Sequence, residues 1–296
     1  MKVLQRQGYG SAFNELVIHG DKITKRCKND YGLSKIKNEI EFYKFLYEND
    51  IKFPMAKVSE FLEDGYVMEY LEGYEPLYKT KLCVRVVYES LDNLHNSIKR
   101  EVSRDYFIEQ LNIEIDHKIK SRYSLIKDKL YNYDYIKYVN GIKILPFYEL
   151  LDMINTEILD IVNGMKKYYF VPIHGDCQFN NILSNGDDIV FIDPRGYFGE
   201  SKIFGMREYD LAKVLFAISG YDEFDSSKIY SLDIDHNNIN IKLNGLGDIF
   251  NRPKIQILLM INIWMGNAHS FEKDGCKMVT SYFISLYIGS LYFSRR

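Results

Sequence analysis

One segment, residues 170–199, limits the possible folds more than any other part of the chain. Within it, two short apolar runs at residues 182–184 and 189–192 flank the turn sequence Asn-Gly-Asp-Asp at residues 185–188. Asn-Gly between two such runs is a strong local signal for a β-hairpin. The segment therefore predicts two antiparallel strands joined by a tight turn.

Three polar residues lie at one end of this predicted hairpin. Asn181 enters the first strand, Asp193 leaves the second, and Asp176 lies in the loop that leads in. Carboxylate and amide oxygens are ligands that suit Mg²⁺ bound together with substrate phosphates. The remaining carboxylate can orient a hydroxyl group and accept its proton as it attacks phosphorus. The alternative is that these residues only cap the hairpin, where Asp and Asn are common.

The pattern of apolar residues divides the chain into two parts. Strands are predicted near the N-terminus and around a helix at residues 33–48, whereas residues 80–165 and the C-terminal residues are mostly helical in pattern. The predicted strands are residues 3–8, 15–19, 22–28, 56–61 and 66–70. We predict an α+β fold with a small β-rich N-terminal lobe, residues 1–72, and a larger, mainly helical C-terminal lobe, residues 73–296.

Charge and composition exclude several classes of protein. The net charge of −3 gives no reason to expect a nucleic-acid binder, which usually has a basic face. The four cysteines are scattered, with no pair spaced for zinc or for a disulfide framework, which indicates a reducing compartment. There is no secretory signal at the N-terminus and no apolar run long enough to span a bilayer. We therefore expect a cytoplasmic protein that binds neither nucleic acid nor membrane.

The motif His174-Gly175-Asp176, followed by Asn181 and then by Ile192-Asp193, resembles the signature of the aminoglycoside phosphotransferase and choline kinase family. Members of this family are small-molecule relatives of the protein kinases. The resemblance extends from about residue 5 to residue 220. It includes Glu39 with Leu46, Ile51 and Pro54, the segment 66–73, Leu94-His95 and the segment 209–212.

The resemblance implies a bilobal, protein-kinase-like fold and a kinase that uses Mg²⁺ and ATP. Asp176 would be the catalytic base, and Asn181 and Asp193 would hold Mg²⁺. His174 and Asp210 would support the catalytic loop. These roles make a nucleoside triphosphate and a small-molecule acceptor the expected partners of the chain.

The first lobe of such a kinase supplies a lysine that contacts the α- and β-phosphates, held by a glutamate. Lys25 with Glu39 is the predicted pair. Lys22, Arg26 and Lys28 lie within three residues of Lys25 and stay open as alternatives.

Two further nucleotide contacts are predicted in the first lobe. Gly10 and Ser11 lie in a glycine-containing loop that can approach the phosphates, although an ordinary hairpin turn has the same pattern. The backbone around Glu69 and Leu71 resembles the inter-lobe hinge of the family and would hydrogen-bond the adenine.

Arg195, two residues after a predicted metal ligand, is the predicted acceptor-binding residue. Its planar guanidinium suits a phosphate, a carboxylate or sugar hydroxyls. Pairing with a nearby acid such as Glu200 or Glu208 is the alternative, and it is equally compatible with the sequence.

The acceptor itself is predicted from the segment 193–216, which resembles fructosamine kinases and phosphotransferases of bacterial surface-polysaccharide loci. A sugar or sugar derivative is therefore the first choice. A choline or ethanolamine kinase is second, and an aminoglycoside kinase is third. A pseudokinase that binds nucleotide or a partner protein without transfer is the alternative from another class.

Overall fold

The computed structural model describes residues 2–3, 12–227, 232–243 and 245–295. Its strands are β1 (Lys2–Val3), β2 (Asn14–His19), β3 (Lys22–Cys27), β4 (Val58–Phe61), β5 (Gly65–Glu69), β6 (Glu75–Pro76), β7 (Arg100–Val102), β8 (Tyr138–Val139), β9 (Ile142–Lys143), β10 (Tyr168–Pro172), β11 (Ile182–Ser184), β12 (Ile189–Phe191), β13 (Tyr197–Phe198), β14 (Ser201–Lys202), β15 (Phe204–Gly205), β16 (Asp233–Asp235) and β17 (Asn238–Asn240). Its helices are α1 (Asp30–Glu48), α2 (Arg85–Ser97), α3 (Arg104–Asn112), α4 (Lys118–Leu130), α5 (Phe147–Asn163), α6 (Arg207–Ile218), α7 (Tyr221–Ser226), α8 (Leu246–Ile249), α9 (Lys254–Met265) and α10 (Gly275–Ser294).

The chain divides into two compact units. The first contains residues 1–102 and 169–217, and the second contains residues 103–168 and 218–296. These limits differ from the predicted lobes, and the lobe boundary at residues 72 and 73 stays a prediction. All the described residues of the predicted site belong to the first unit.

An antiparallel sheet in the order β1-β2-β3-β5-β4 forms the N-terminal part of the first unit. The predicted β2–β3 hairpin is confirmed, with His19 opposite Lys22 beside the turn. Helix α1 packs on one face of the sheet through Ile36, Ile40 and Tyr43. This helix begins three residues earlier than predicted because the Asn29 side chain caps it by accepting a hydrogen bond from the Gly32 N–H.

The hairpin predicted at residues 182–192 is confirmed as β11 and β12, and β6 pairs with the outer edge of β11. The Asn185 side chain accepts hydrogen bonds from the N–H groups of Asp187 and Asp188, which closes the turn. Gly186 takes a positive φ of 103°, a conformation that favours glycine.

The second unit is mainly helical, in agreement with the predicted helical pattern. A π-helical turn, Ile113–His117, joins α3 to α4 in one continuous helical segment. The nearly uniform apolar character of α9 places both Trp264 and Asn262 in the interior, where Asn262 donates a hydrogen bond to the Ile115 carbonyl. Within residues 80–165 the prediction missed β8 and β9, and also β7 of the first unit, because two- or three-residue strands have no detectable alternation.

No helix in the described part of the chain is long and apolar enough to cross a membrane. The cytoplasmic location stays a prediction.

Gly196, directly after Arg195, lies against α1 and has a φ of +64°. A Cβ at this position would lie 2.9 Å from the Asn38 carbonyl oxygen and 3.2 Å from the Phe42 Cβ. We expect Gly196→Ala to lower the free energy of unfolding by about 1–3 kcal/mol, because backbone strain and crowding add. Gly20→Ala is the matched control in denaturant titrations, since Gly20 has a φ of +62° with no atom within 4 Å of its Cβ position. An equal decrease in the free energy of unfolding in both variants would contradict close packing of Gly196 against α1.

Candidate active site

The end of the β11–β12 hairpin positions two of the predicted residues. The Ile192 N–H donates to the Asn181 carbonyl at 2.9 Å, so the ladder extends one residue beyond the strands and leaves Asn181 and Asp193 at the same end. Asp193 has a φ of +57°, a conformation uncommon outside glycine, which turns the chain out of the strand. The predicted convergence of these two residues is therefore present.

Asp176 contacts Asn181 directly. The Asn181 Nδ2 group donates to the Asp176 carbonyl oxygen at 3.1 Å and to Asp176 Oδ2 at 3.0 Å. These two bonds fix the orientation of the amide, so its oxygen is available as an acceptor or as a ligand. The predicted catalytic loop, which contains His174, Gly175 and Asp176, thus forms one polar cluster with the hairpin.

A buried ion pair joins β3 to α1. The Lys25 ammonium lies 2.7 and 2.9 Å from the two Glu39 carboxylate oxygens and 2.9 Å from Asp193 Oδ1. The Tyr66 hydroxyl also donates to Glu39, at 2.7 Å. Burial alone would lower the pKa of Lys25, but the negative charges of Asp193 and Glu39 outweigh it and raise this pKa. Lys25 is therefore a fixed positive charge beside Asp193.

The structure distinguishes Lys25 from the three cations near it in sequence. Lys25 and Ile23 share the buried face of β3, and the Lys25 side chain is 4% exposed. Lys22 and Lys28 are exposed, and Arg26 pairs with Asp64 at the surface, at 2.6 Å. The predicted contact between Lys25 and Glu39 is present, whereas their contact with phosphate stays a prediction.

Asp210, in the first turn of α6, holds the main chain of the predicted catalytic loop. Its carboxylate accepts hydrogen bonds from the His174 N–H at 3.0 Å and from the Gly175 N–H at 2.7 Å. His95 Nε2 lies 3.0 Å from the same carboxylate, and both side chains are buried. Burial would raise the pKa of Asp210, but the hydrogen bonds from His95 and from the Gly175 N–H outweigh it and lower this pKa, so the group is a carboxylate.

His174 connects the loop to the hairpin. Its Nδ1 accepts a hydrogen bond from the Asp176 N–H at 3.3 Å, so Nε2 carries the proton and donates to the Ile192 carbonyl at 3.1 Å. Full burial lowers the pKa of His174, which keeps the ring neutral. His174 and Asp210 therefore contact the loop that contains Asp176, and their support of a catalytic loop stays a prediction.

The sequence matches no protein-family model and no curated protein. Solved structures do match. The GDP complex of wild-type aminoglycoside 2'-phosphotransferase-IIIa has a TM-score of 0.55 at 12% identity, over 98% of this chain and 92% of that one. A choline/ethanolamine kinase family protein from Mesorhizobium loti has a TM-score of 0.55 at 8% identity, over 100% and 93%. Choline kinase from Cryptosporidium parvum Iowa II has a TM-score of 0.54 at 13% identity, over 99% and 88%.

The chain has the fold of the aminoglycoside phosphotransferases and choline kinases. This confirms the resemblance and the α+β, kinase-like fold predicted from the sequence. At these identities the likeness concerns the fold, and residue roles depend on the geometry of this chain.

The donor set at the hairpin end of this kinase-like fold suits Mg²⁺. Asp193 offers a carboxylate, and Asn181 offers an amide oxygen whose orientation is fixed by the contacts with Asp176. Among the described residues, no group of three His, Cys, Asp or Glu side chains could hold a metal by itself. Mg²⁺ does not require one, because it takes one or two protein ligands and fills its shell with phosphate oxygens and water.

Arg195 packs beside the catalytic loop. Its Nη1 donates to the Tyr209 hydroxyl at 2.8 Å, and its guanidinium lies 3.9 Å from the centroid of the Tyr197 ring. Gly175 has a φ of +80°, and a side chain there would bring its Cβ to 3.0 Å from the Arg195 Cβ, so the two residues pack closely. Acceptor binding by Arg195 stays a prediction.

The remaining nucleotide contacts also stay predictions. Gly10 and Ser11 lie outside the described residues. Glu69 ends β5, and Leu71 follows two residues later. The Glu69 N–H donates to the Lys57 carbonyl, and its side chain accepts from the Lys57 N–H at 2.8 Å, which fixes the point where the chain leaves the sheet.

Lys213, on α6, is a contact of Asp176 that the sequence interpretation missed. Its ammonium lies 2.9 Å from Asp176 Oδ1. Burial would raise the pKa of Asp176, but the positive charge of Lys213 outweighs it and lowers this pKa. The available signal was spacing, because Lys213 is three residues after Asp210 and so shares its helix face.

Proposed function

We propose that this chain is a kinase that transfers the γ-phosphoryl group of a nucleoside triphosphate to a hydroxyl of a small molecule. The observation that supports this most strongly is the Lys25 contact with both Glu39 and Asp193, at the end of the hairpin that also holds Asn181 and Asp176. A buried lysine held by a helix glutamate, next to two oxygen ligands and a carboxylate, provides the parts that phosphoryl transfer requires. The solved structures with this fold carry the names of phosphotransferases and kinases.

In the proposed reaction the acceptor hydroxyl oxygen forms a bond to the γ-phosphorus. The bond between this phosphorus and the β–γ bridging oxygen breaks, and the electron pair leaves with the nucleoside diphosphate. Asp176 orients the hydroxyl and takes its proton. Lys25 would neutralise phosphate charge, while Glu39 and Tyr66 hold its ammonium in place.

Mg²⁺ held by Asn181 and Asp193 would neutralise charge on the β- and γ-phosphates. We expect Asp193→Ala to weaken Mg²⁺-nucleotide binding at least tenfold, because it removes a carboxylate ligand and a partner of Lys25. Titration calorimetry with ATP, with and without Mg²⁺, measures this. The exposed Asp187 in the hairpin turn gives the control variant Asp187→Ala. Unchanged affinity in Asp193→Ala would remove Asp193 from the metal site.

A sugar or sugar derivative is the acceptor that we favour. The Lys213 ammonium lies 2.9 Å from Asp176 Oδ1, and the positive charges of Lys213 and Arg195 both lower the pKa of Asp176. Because Lys213 already pairs with Asp176, this carboxylate is less suited to bind the ammonium of an aminoglycoside or of choline, whereas a neutral polyol needs no such partner. Arg195 would donate hydrogen bonds to acceptor oxygens.

The test is nucleoside diphosphate release from Mg²⁺-ATP or Mg²⁺-GTP over a panel of acceptors. The panel contains hexoses, amino sugars, heptoses, fructosamines, choline, ethanolamine and aminoglycosides. Stimulation by a sugar, lost in Asp176→Ala, supports the proposal. Stimulation by choline, ethanolamine or an aminoglycoside alone would keep the kinase and overturn the sugar acceptor. Nucleotide binding without any stimulated release would favour the pseudokinase alternative.

A further inference from the structure

The Lys213 ammonium lies beside the carboxylate of Asp176, the proposed catalytic base. Its side chain is 14% exposed, and its ammonium lies 5.5 Å from the Phe216 ring centroid and 2.9 Å from Asp176 Oδ1. A charge that is withdrawn from water in this way is costly unless an anion lies beside it. The contact with Asp176 therefore stabilises the Lys213 ammonium in this position and places a positive charge beside the Asp176 carboxylate.

Helix α6 holds two successive parts of the catalytic loop from one face. The Asp210 carboxylate accepts hydrogen bonds from the N–H groups of His174 and Gly175. Lys213, three residues after Asp210, contacts the side chain of Asp176. Residues three apart are neighbours on a helix surface. Helix α6 thus holds both the main chain of residues 174 and 175 and the side-chain carboxylate of Asp176.

The two oxygens of Asp176 are held differently. Oδ2 accepts from the Asn181 amide, and Oδ1 faces the Lys213 ammonium. A carboxylate has about four lone-pair directions, so each oxygen can still accept one more hydrogen bond. An acceptor hydroxyl can therefore bind to Asp176 while both existing contacts hold the carboxylate still.

We propose that Lys213 is a positioning residue for phosphoryl transfer, which fixes the Asp176 carboxylate and offsets the negative charge that gathers when a phosphoryl group approaches it. This inference rests on the proposed kinase function. Asp176 and a transferring phosphoryl group are both anionic, and each would repel the other without a cation beside them. An ammonium placed there before the reaction requires no reorganisation when charge moves.

The test compares Lys213→Met with Lys213→Arg. Turnover is measured with Mg²⁺-ATP and water as the acceptor, and with each panel compound that the wild-type chain phosphorylates. Rates are divided by the number of ATP-binding sites found by calorimetry, so that misfolded protein does not count. We expect Lys213→Met to lower kcat about 100-fold with the Kd of Mg²⁺-ATP changed less than about threefold. Lys213→Arg keeps the charge and should recover most of the rate.

Lys202→Met is the matched control, because Lys202 forms a surface ion pair with Glu41 at 2.8 Å. Its kcat should equal that of the wild-type chain. A kcat in Lys213→Met within about threefold of wild type would overturn the inference, as would an equal loss in Lys213→Met and Lys213→Arg. A wild-type chain that does not turn over ATP, whether or not it binds ATP, overturns the proposed function instead, so the two failures are distinguishable.

Discussion

Asp176→Ala is expected to lower turnover about 100- to 10,000-fold while Mg²⁺-nucleotide binding stays close to that of the wild-type chain. The variant removes the group that orients the acceptor hydroxyl and accepts its proton. The predicted contacts of Lys25 and Asp193 do not depend on this carboxylate, and Asn181 keeps its hydrogen bond to the Asp176 carbonyl oxygen. Turnover is measured as acceptor-stimulated release of nucleoside diphosphate, and nucleotide binding is measured by titration calorimetry with Mg²⁺-ATP.

The exposed Asp188 in the β11–β12 turn gives a matched control for this experiment. Asp188→Ala removes the same charge from the same segment without touching the polar cluster, and should keep full turnover. An Asp176→Ala variant with more than about a tenth of wild-type turnover would remove Asp176 from the mechanism. A variant that loses turnover and nucleotide binding together would assign Asp176 a structural role.

Lys25→Met is expected to lower the free energy of unfolding by about 3–5 kcal/mol and to abolish turnover. Glu39 is 9% exposed, so the variant leaves a carboxylate buried without its cation. Asp193 loses the same cation, but its side chain is 25% exposed, and water screens it. Denaturant unfolding at neutral pH measures the loss, and Lys22→Met on the exposed face of β3 is the control.

The double variant Lys25→Met with Glu39→Gln separates stability from function. The glutamine keeps an acceptor for the Tyr66 hydroxyl and carries no charge. We expect it to recover most of the lost stability, because the unpaired buried charge is gone. Turnover should stay lost, since no cation remains for the phosphates. A double variant as unstable as Lys25→Met would show that shape, rather than charge, explains the single-variant effect.

Local signals in the sequence predict the part of the site that the hairpin builds. The Asn-Gly turn fixes the register, and the register places Asn181 and Asp193 at one end. Alternation in β3 also identifies Lys25, because within the strand it shares the face of the buried Ile23, while Lys22 and Arg26 share the other face.

Contacts made between distant segments were not predictable in the same way. Lys213 reaches Asp176 because α6 is held against the catalytic loop through Asp210, and this arrangement is set by packing rather than by local pattern. The same holds for the division into two units, since the first unit joins residues 1–102 with residues 169–217. The apolar pattern of each helix within residues 103–168 predicts a helix, but it does not indicate which unit the helix packs in.

The most direct measurement is the mass of the acceptor after incubation with Mg²⁺-ATP and the wild-type chain or Asp176→Ala. The proposed kinase predicts that one panel compound gains a phosphoryl group with the wild-type chain, in equal amount to the nucleoside diphosphate released, and does not gain it with Asp176→Ala. Bound ATP with every acceptor unmodified, or a phosphorylated product that Asp176→Ala forms equally well, would contradict transfer at this site.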